Sequence, residues 1–106
     1  MEKKEINNAK EFDEAIAKGK AVVDFYADWC NPCRMLAPVL DEVLSEKGDI
    51  TLIRVNVDNV PELATRFNVY SIPCVYFFKD GQQVGNFIGF KYKAEVESAL
   101  NEAYKD

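Results

Sequence analysis

Val23-Asp24-Phe25-Tyr26-Ala27-Asp28-Trp29-Cys30-Asn31-Pro32-Cys33-Arg34-Met35 is the stretch on which the fold turns. Its first half completes the run that begins at Ala21 and ends at Ala27, short, apolar and rich in β-formers. Such a run reads as a central strand covered on both faces. Asp24 is its one charged residue. From Cys30 the period changes. Met35, Val39 and Val43 line up, with Leu36, Leu40 and Leu44 beside them, which predicts a helix from Cys30 to about Lys47. Pro38 lies inside that helix and is expected to kink it, because it removes a backbone donor and crowds the preceding turn. Gly48-Asp49 closes it. Cys30 and Cys33 therefore fall where a strand ends and a helix begins. Free backbone N–H groups and the helix dipole favour negative charge there. A thiolate at Cys30 is stabilised by that field, and Cys33, one turn further in, is close enough to close a small ring with it. Pro32 suits a first helical turn.

A Cys-x-x-Cys is a redox pair, half of a zinc site, or chance. A complete zinc site needs a second pair, and only Cys74 remains among three cysteines. Histidine is absent, which excludes Ser-His-Asp and Cys-His catalysis within the chain and Cys/His zinc sites. An odd and small cysteine count does not suit a secreted disulfide framework. Redox chemistry or a metal site is what remains. For a redox pair the positions imply an order of events. Cys30 attacks a partner disulfide, Cys33 attacks the resulting mixed disulfide, and the pair is left oxidised until another reductant restores it.

Outward from this stretch, Asn7-Asn8 precede a helical pattern with Ala9, Phe12 and Ile16 on one face, stopped by Gly19. Ile50 to Val57 is a strand. Asp58-Asn59 are expected to cap a short helix with Pro61 in its first turn and Leu63 and Phe67 facing inward. Cys74 to Phe78 is a strand, Lys79-Asp80-Gly81-Gln82 a turn, and Gln83 to Ile88 the returning strand. Tyr92, Val96, Ala99, Leu100 and Ala103 mark a last amphipathic helix. The order is βαβαβαββα. Helices between strands imply parallel pairing and the terminal hairpin antiparallel pairing, which gives a mixed sheet between helices.

The 106 residues fit one domain, 1–106, and an apolar fraction of 48% supplies an ordinary globular core. A net charge of −5 without a dense basic stripe argues against nucleic-acid binding. No apolar stretch is long enough to cross a bilayer, so no membrane role is expected. The first residues show no apolar h-region or cleavage site, so no signal peptide is read and a cytoplasmic location is expected.

The stretch quoted above, with Ala37-Pro38, Ser71-Ile72-Pro73 and Phe78-Lys79-Asp80-Gly81, resembles the thioredoxin family, in register over nearly the whole chain. The resemblance implies a thioredoxin fold, a central mixed five-stranded sheet flanked by four helices. It implies protein-disulfide reductase activity, protein disulfides as substrates, a thioredoxin-reductase-like electron donor, a monomer, and no prosthetic group. By the same resemblance Asp24 matches the buried carboxylate that relays a proton to or from Cys33; a structural polar residue is the plainer reading. Arg54 stands where family members often carry Lys and is expected to keep Asp24 more ionised, unless it is a solvated surface arginine. Pro73 matches the cis-proline. Trp29, Val57, Ile72, Pro73, Cys74, Ile88 and Gly89 map to the substrate-docking surface, although Val57 and Ile88 read equally well as core.

The chain departs from the family at two positions. Asn31 stands where most members have Gly, which touches the redox poise. Cys74 stands where Thr is usual, and the fold would bring it near Cys30 and Cys33. It reads as an inert small residue, as a third redox thiol, or as part of a Cys30/Cys33/Cys74 metal or iron–sulfur site. The rival functions are a disulfide oxidant or isomerase on the same fold, a binding module indifferent to its thiols, and that metal-binding module.

Overall fold

The computed structural model describes residues 1–105. Its sheet is built outward from β2 (Lys20–Tyr26), whose middle residues, Ala21 to Phe25, are all buried. β3 (Ile50–Asn56) pairs with it in parallel and β4 (Cys74–Lys79) antiparallel. β1 (Glu2–Glu5) lies parallel outside β3, and β5 (Gln82–Ile88) antiparallel outside β4. The five-stranded order is β1-β3-β2-β4-β5.

Alternation along β2 sends its side chains into two cores. Ala21, Val23 and Phe25 join Phe12 and Ile16 of α1 (Ala9–Ile16), Leu63 of α3 (Pro61–Arg66), and Phe78. Val22 joins Leu36, Leu40 and Leu44 of α2 (Asn31–Ser45) and Val96 and Leu100 of α4 (Lys93–Ala103). Each buried Val, Leu, Ile or Phe side chain among them contributes about 1.5–3 kcal/mol of transfer free energy. α2 runs through Pro38 to Ser45, held by its apolar stripe.

Two local expectations are corrected. Asp58 and Asn59 do not cap α3, whose N-cap is Val60, without a side-chain hydrogen bond. The turn is organised one step earlier, by the Asn56 side chain accepting from the Asp58 amide at 2.9 Å. The helix between β3 and β4 also does not make those strands parallel. α3 is only six residues long, and the chain leaving it turns back through residues 67–73 before β4 sets out against β2.

The β4–β5 hairpin closes on Asp80 and Gly81, with φ of 50° and 84°. Positive φ at both central residues matches the twist of paired strands and favours Asp-Gly. The Asp80 side chain accepts from the Gly19 amide at 2.7 Å, tying this turn to the one before β2.

Candidate active site

β2 ends at Tyr26 and α2 begins at Asn31, so Cys30 is the N-cap of a 15-residue helix. The Cys30 amide donates to Ala27 O at 3.2 Å and its carbonyl receives the Arg34 amide at 3.1 Å, which starts the helical ladder. Cys30 Sγ accepts a hydrogen bond from the Cys33 amide at 3.2 Å, the role a Ser or Asp oxygen usually fills at this position. Cys30 and Cys33 are joined as a disulfide with Cα atoms 5.2 Å apart. Cys30 is 4% exposed and Cys33 1%, so both are buried.

The Ile72–Pro73 peptide is cis, and Ile72 O lies 3.8 Å from Cys30 Sγ. Pro73 O accepts the Gly89 amide at 2.8 Å, which draws the end of β5 to the same place. Gly89 has φ +88°, a conformation side chains resist. Trp29 is 68% exposed and Ile88 59%, so Ile88 is not a core residue. Val57 and Ile72 are half-buried against the disulfide, and Pro73 is buried. The Trp29 indole N–H donates to Asp58 Oδ2 at 2.9 Å. Asp58 is thus a partner of this site that its sequence position suggested only as a helix cap.

Asp24 is fully buried on the α2 side of the sheet, in register with Arg54 on β3. Arg54 Nε lies 3.6 Å from Asp24 Oδ2, an ion pair, so Arg54 is not a free surface arginine. Burial pushes the Asp24 carboxyl from the ordinary 3.8 up to about 6, although the Arg54 guanidinium pulls it down. Arg54 and Cys33 line one cleft of about 450 Å³, with Tyr26, Ala27, Asp28, Arg34 and Ala37. Arg34 reaches back across this cleft to Asp28 O and to the Asn31 side chain. Asn31 therefore has a partner that glycine could not offer.

Cys74 does not join the other two cysteines. It stands in register with Phe25, and strand alternation sends both side chains into the α1/α3 core. The disulfide packs instead with Ala27, Tyr26, Val57 and Ile72. At 2% exposure the Cys74 side chain is also not part of the docking surface. Burial pushes its thiol up, more than the Tyr76 hydroxyl beside it pulls it down. Among the described residues no three His, Cys, Asp or Glu side chains are grouped to hold a metal ion, so nothing supports a three-cysteine site. No described helix is long and apolar enough to cross a membrane.

A family model described as Thioredoxin matches residues 3–102. The thioredoxin of Mycoplasmoides gallisepticum is 42% identical over 98 residues, covering 92% of this chain and 98% of that protein. The thioredoxin of Listeria monocytogenes is 40% identical over 99 residues, covering 92% and 95%. Among solved structures, a Plasmodium falciparum thioredoxin superposes with a TM-score of 0.86 at 31% identity, covering 95% of this chain and 98% of that one. Mitochondrial thioredoxin 3 from Saccharomyces cerevisiae, in its oxidised form, gives 0.83 at 33% identity over 92% of each chain.

Proposed function

This chain belongs to the thioredoxin family and is a protein-disulfide oxidoreductase, and from that premise we propose how its residues divide the work. The observation that carries the reading is the Cys30–Cys33 disulfide at the first turn of α2. In the reduced protein, Cys30 is the thiolate. The Cys33 amide and the aligned peptide dipoles of α2 stabilise its charge. It attacks one sulfur of a substrate disulfide; an S–S bond forms to Cys30, and the substrate's other sulfur leaves as a thiolate and takes a proton. Cys33 then loses its proton toward the Asp24 carboxylate, which is buried and paired with Arg54, a residue that lines the same cleft as Cys33. The Cys33 thiolate attacks Cys30 Sγ and expels the second substrate sulfur. Two electrons have passed to the substrate, and Cys30–Cys33 is oxidised.

The substrate segment docks on Trp29, Val57, Ile72, Pro73, Ile88 and Gly89. The Ile72 carbonyl beside Cys30 Sγ offers a backbone acceptor for a segment laid alongside it as an added strand. Family members act with a reductase that returns the electrons, and a thioredoxin-reductase-like enzyme is the donor we assign. Residues 1–106 act as one domain. Both sheet faces are covered by the chain's own helices, which favours a monomer. A free Cys74 thiol suits a reducing compartment, the cytoplasm.

The test is a redox equilibrium of the Cys30–Cys33 pair against a dithiol buffer, read by alkylation and mass, beside reduction of a protein disulfide. A strongly reducing pair that is inactive as Cys30→Ser, and is trapped as a mixed disulfide through Cys30 as Cys33→Ser, is expected. An oxidising pair would replace the reductase with an oxidant or isomerase.

A further inference from the structure

Glu5, Arg54 and Asp24 form one row across three neighbouring strands. Glu5 on β1 is in register with Arg54 on β3, and Arg54 is in register with Asp24 on β2. An acid opposite an arginine normally pairs with it directly. Here Glu5 Oε2 instead accepts the Tyr26 hydroxyl at 2.8 Å, and the Tyr26 ring lies under the Arg54 guanidinium, 3.8 Å from its centroid. Arg54 Nε is buried and has no hydrogen-bond partner among the described residues. Its contact with Asp24 is an ion pair at 3.6 Å, longer than a well-formed hydrogen bond, so it holds the guanidinium only loosely from that side. The flat ring lies against its other face, and the tip of that ring is hydrogen-bonded to Glu5.

We propose that Tyr26 and Glu5 are positioning residues for the redox reaction: together they clamp Arg54 against Asp24. The inference rests on the assignment of Asp24 as the proton carrier for Cys33. The ring stack supplies a cation–π contact, stronger for a partly desolvated guanidinium than for one in water. Burial and the Glu5 carboxylate push the Tyr26 hydroxyl up to about 12, so it stays a donor through the working range. Asp24 is faced by Arg54 from β3, by Glu5 from β1 and by Asp41 from α2, and Asp41 is itself paired with Lys3 at 3.0 Å. Of these only Arg54 is a cation against the carboxylate. Burial is the larger influence on Asp24, and the placement of Arg54 sets how far it is offset.

The experiment follows the Asp24 carboxyl by NMR titration, and the pH profile of the resolving step, in the full-length protein. Tyr26→Phe keeps the ring and removes the anchor. Glu5→Ala removes both the anchor and a negative charge, while Glu5→Gln keeps an acceptor for the hydroxyl. If the clamp operates, Tyr26→Phe and Glu5→Ala both raise the Asp24 midpoint, and Glu5→Gln does not. Complete loss of the Arg54 contribution is worth about one unit or more, which lowers the ionised fraction near neutrality about twofold. A through-space effect of Glu5 has the opposite sign, because deleting a neighbouring negative charge lowers the midpoint. A fall in Glu5→Ala, or no change in Tyr26→Phe, would overturn the clamp. Asp24→Asn separates the two layers. If the pH profile of resolution survives that change, the proton-carrier assignment falls, while the NMR shifts still decide whether Tyr26 and Glu5 hold Arg54.

Discussion

Asp24 and Arg54 stand opposite each other on adjacent parallel strands, 3.6 Å apart at their nearest charged atoms, yet neither Asp24 oxygen has a hydrogen-bond partner among the described residues. Desolvation therefore outweighs the ion pair, and the carboxyl sits at about 6 instead of 3.8. The sign of the linkage follows. The native state holds the proton more tightly than the unfolded chain, so Asp24 costs no stability below the unfolded value. The cost grows as pH rises from 3.8 and is complete above about 6. Asp24→Asn is thus expected to stabilise the protein by up to about 3 kcal/mol at pH 8 and by little at pH 4. Urea unfolding at the two pH values checks this; an equal gain at both would show that the carboxyl is not raised.

Arg34 places a second cation in the cleft of Cys33 and is tethered there by Asp28 O and Asn31. A nearby cation stabilises a thiolate, hence the reduced dithiol, and makes the pair more oxidising. Arg34→Gln is expected to make it more reducing, by roughly 30 mV for a tenfold change in the exchange constant. Asn31→Gly, which releases the tether but keeps the charge, is expected to move the potential less. Equilibration against glutathione or dithiothreitol measures both. A larger effect from Asn31→Gly would place the influence in the backbone instead.

Cys74 faces the aromatic core with its thiol kept protonated by burial. It is expected to resist alkylation in the folded protein under conditions that label reduced Cys30. Cys74→Thr is expected to leave the potential of the Cys30–Cys33 pair unchanged. Rapid labelling of native Cys74 in a mass spectrum would contradict this placement.

Trp29 is the largest exposed apolar side chain at the site and is braced by Asp58. Buried aromatic anchors commonly carry 1–2 kcal/mol or more of a docking interface. Trp29→Ala is therefore expected to raise KM for a protein disulfide about tenfold. A small soluble disulfide, which needs no docking surface, is expected to react at nearly the wild-type rate. Equal losses on both substrates would assign Trp29 to the chemistry instead.

Much of this was legible in the residues because periodicity and chemistry coincide there. The change of period at Cys30 marks the strand-to-helix junction, and Asp24 stands out as a charge in an apolar run. β1 was legible only as a place in the element order. Glu2, Lys3, Lys4 and Glu5 are all exposed, so no apolar alternation marks the strand, and backbone pairing to β3 defines it. The direction of β4 was hidden because a short helix between strands does not fix the sense of the return. Cys74 was misplaced because sequence adjacency to Pro73 suggested the active face, whereas strand register with Phe25 turns its side chain the other way. The partnership of Glu5, Tyr26 and Arg54 depends on which strands are neighbours, and that exists only once the sheet is ordered.

The Cys30–Cys33 bond spans a sequence separation of only three, within the first turn of α2. Cross-links restrain an unfolded chain more the longer the loop they close, so this one restrains it less than a long-range bridge would. The turn it bridges is already held by the Cys33 amide and by the packing of α2. The two main cores that hold the sheet and its helices together include neither Cys30 nor Cys33. Most disulfides act as staples for a fold; this one is a terminal mounted on a frame whose main cores are packed from other residues. A molecule that must pass repeatedly between two redox states can do so without refolding each time.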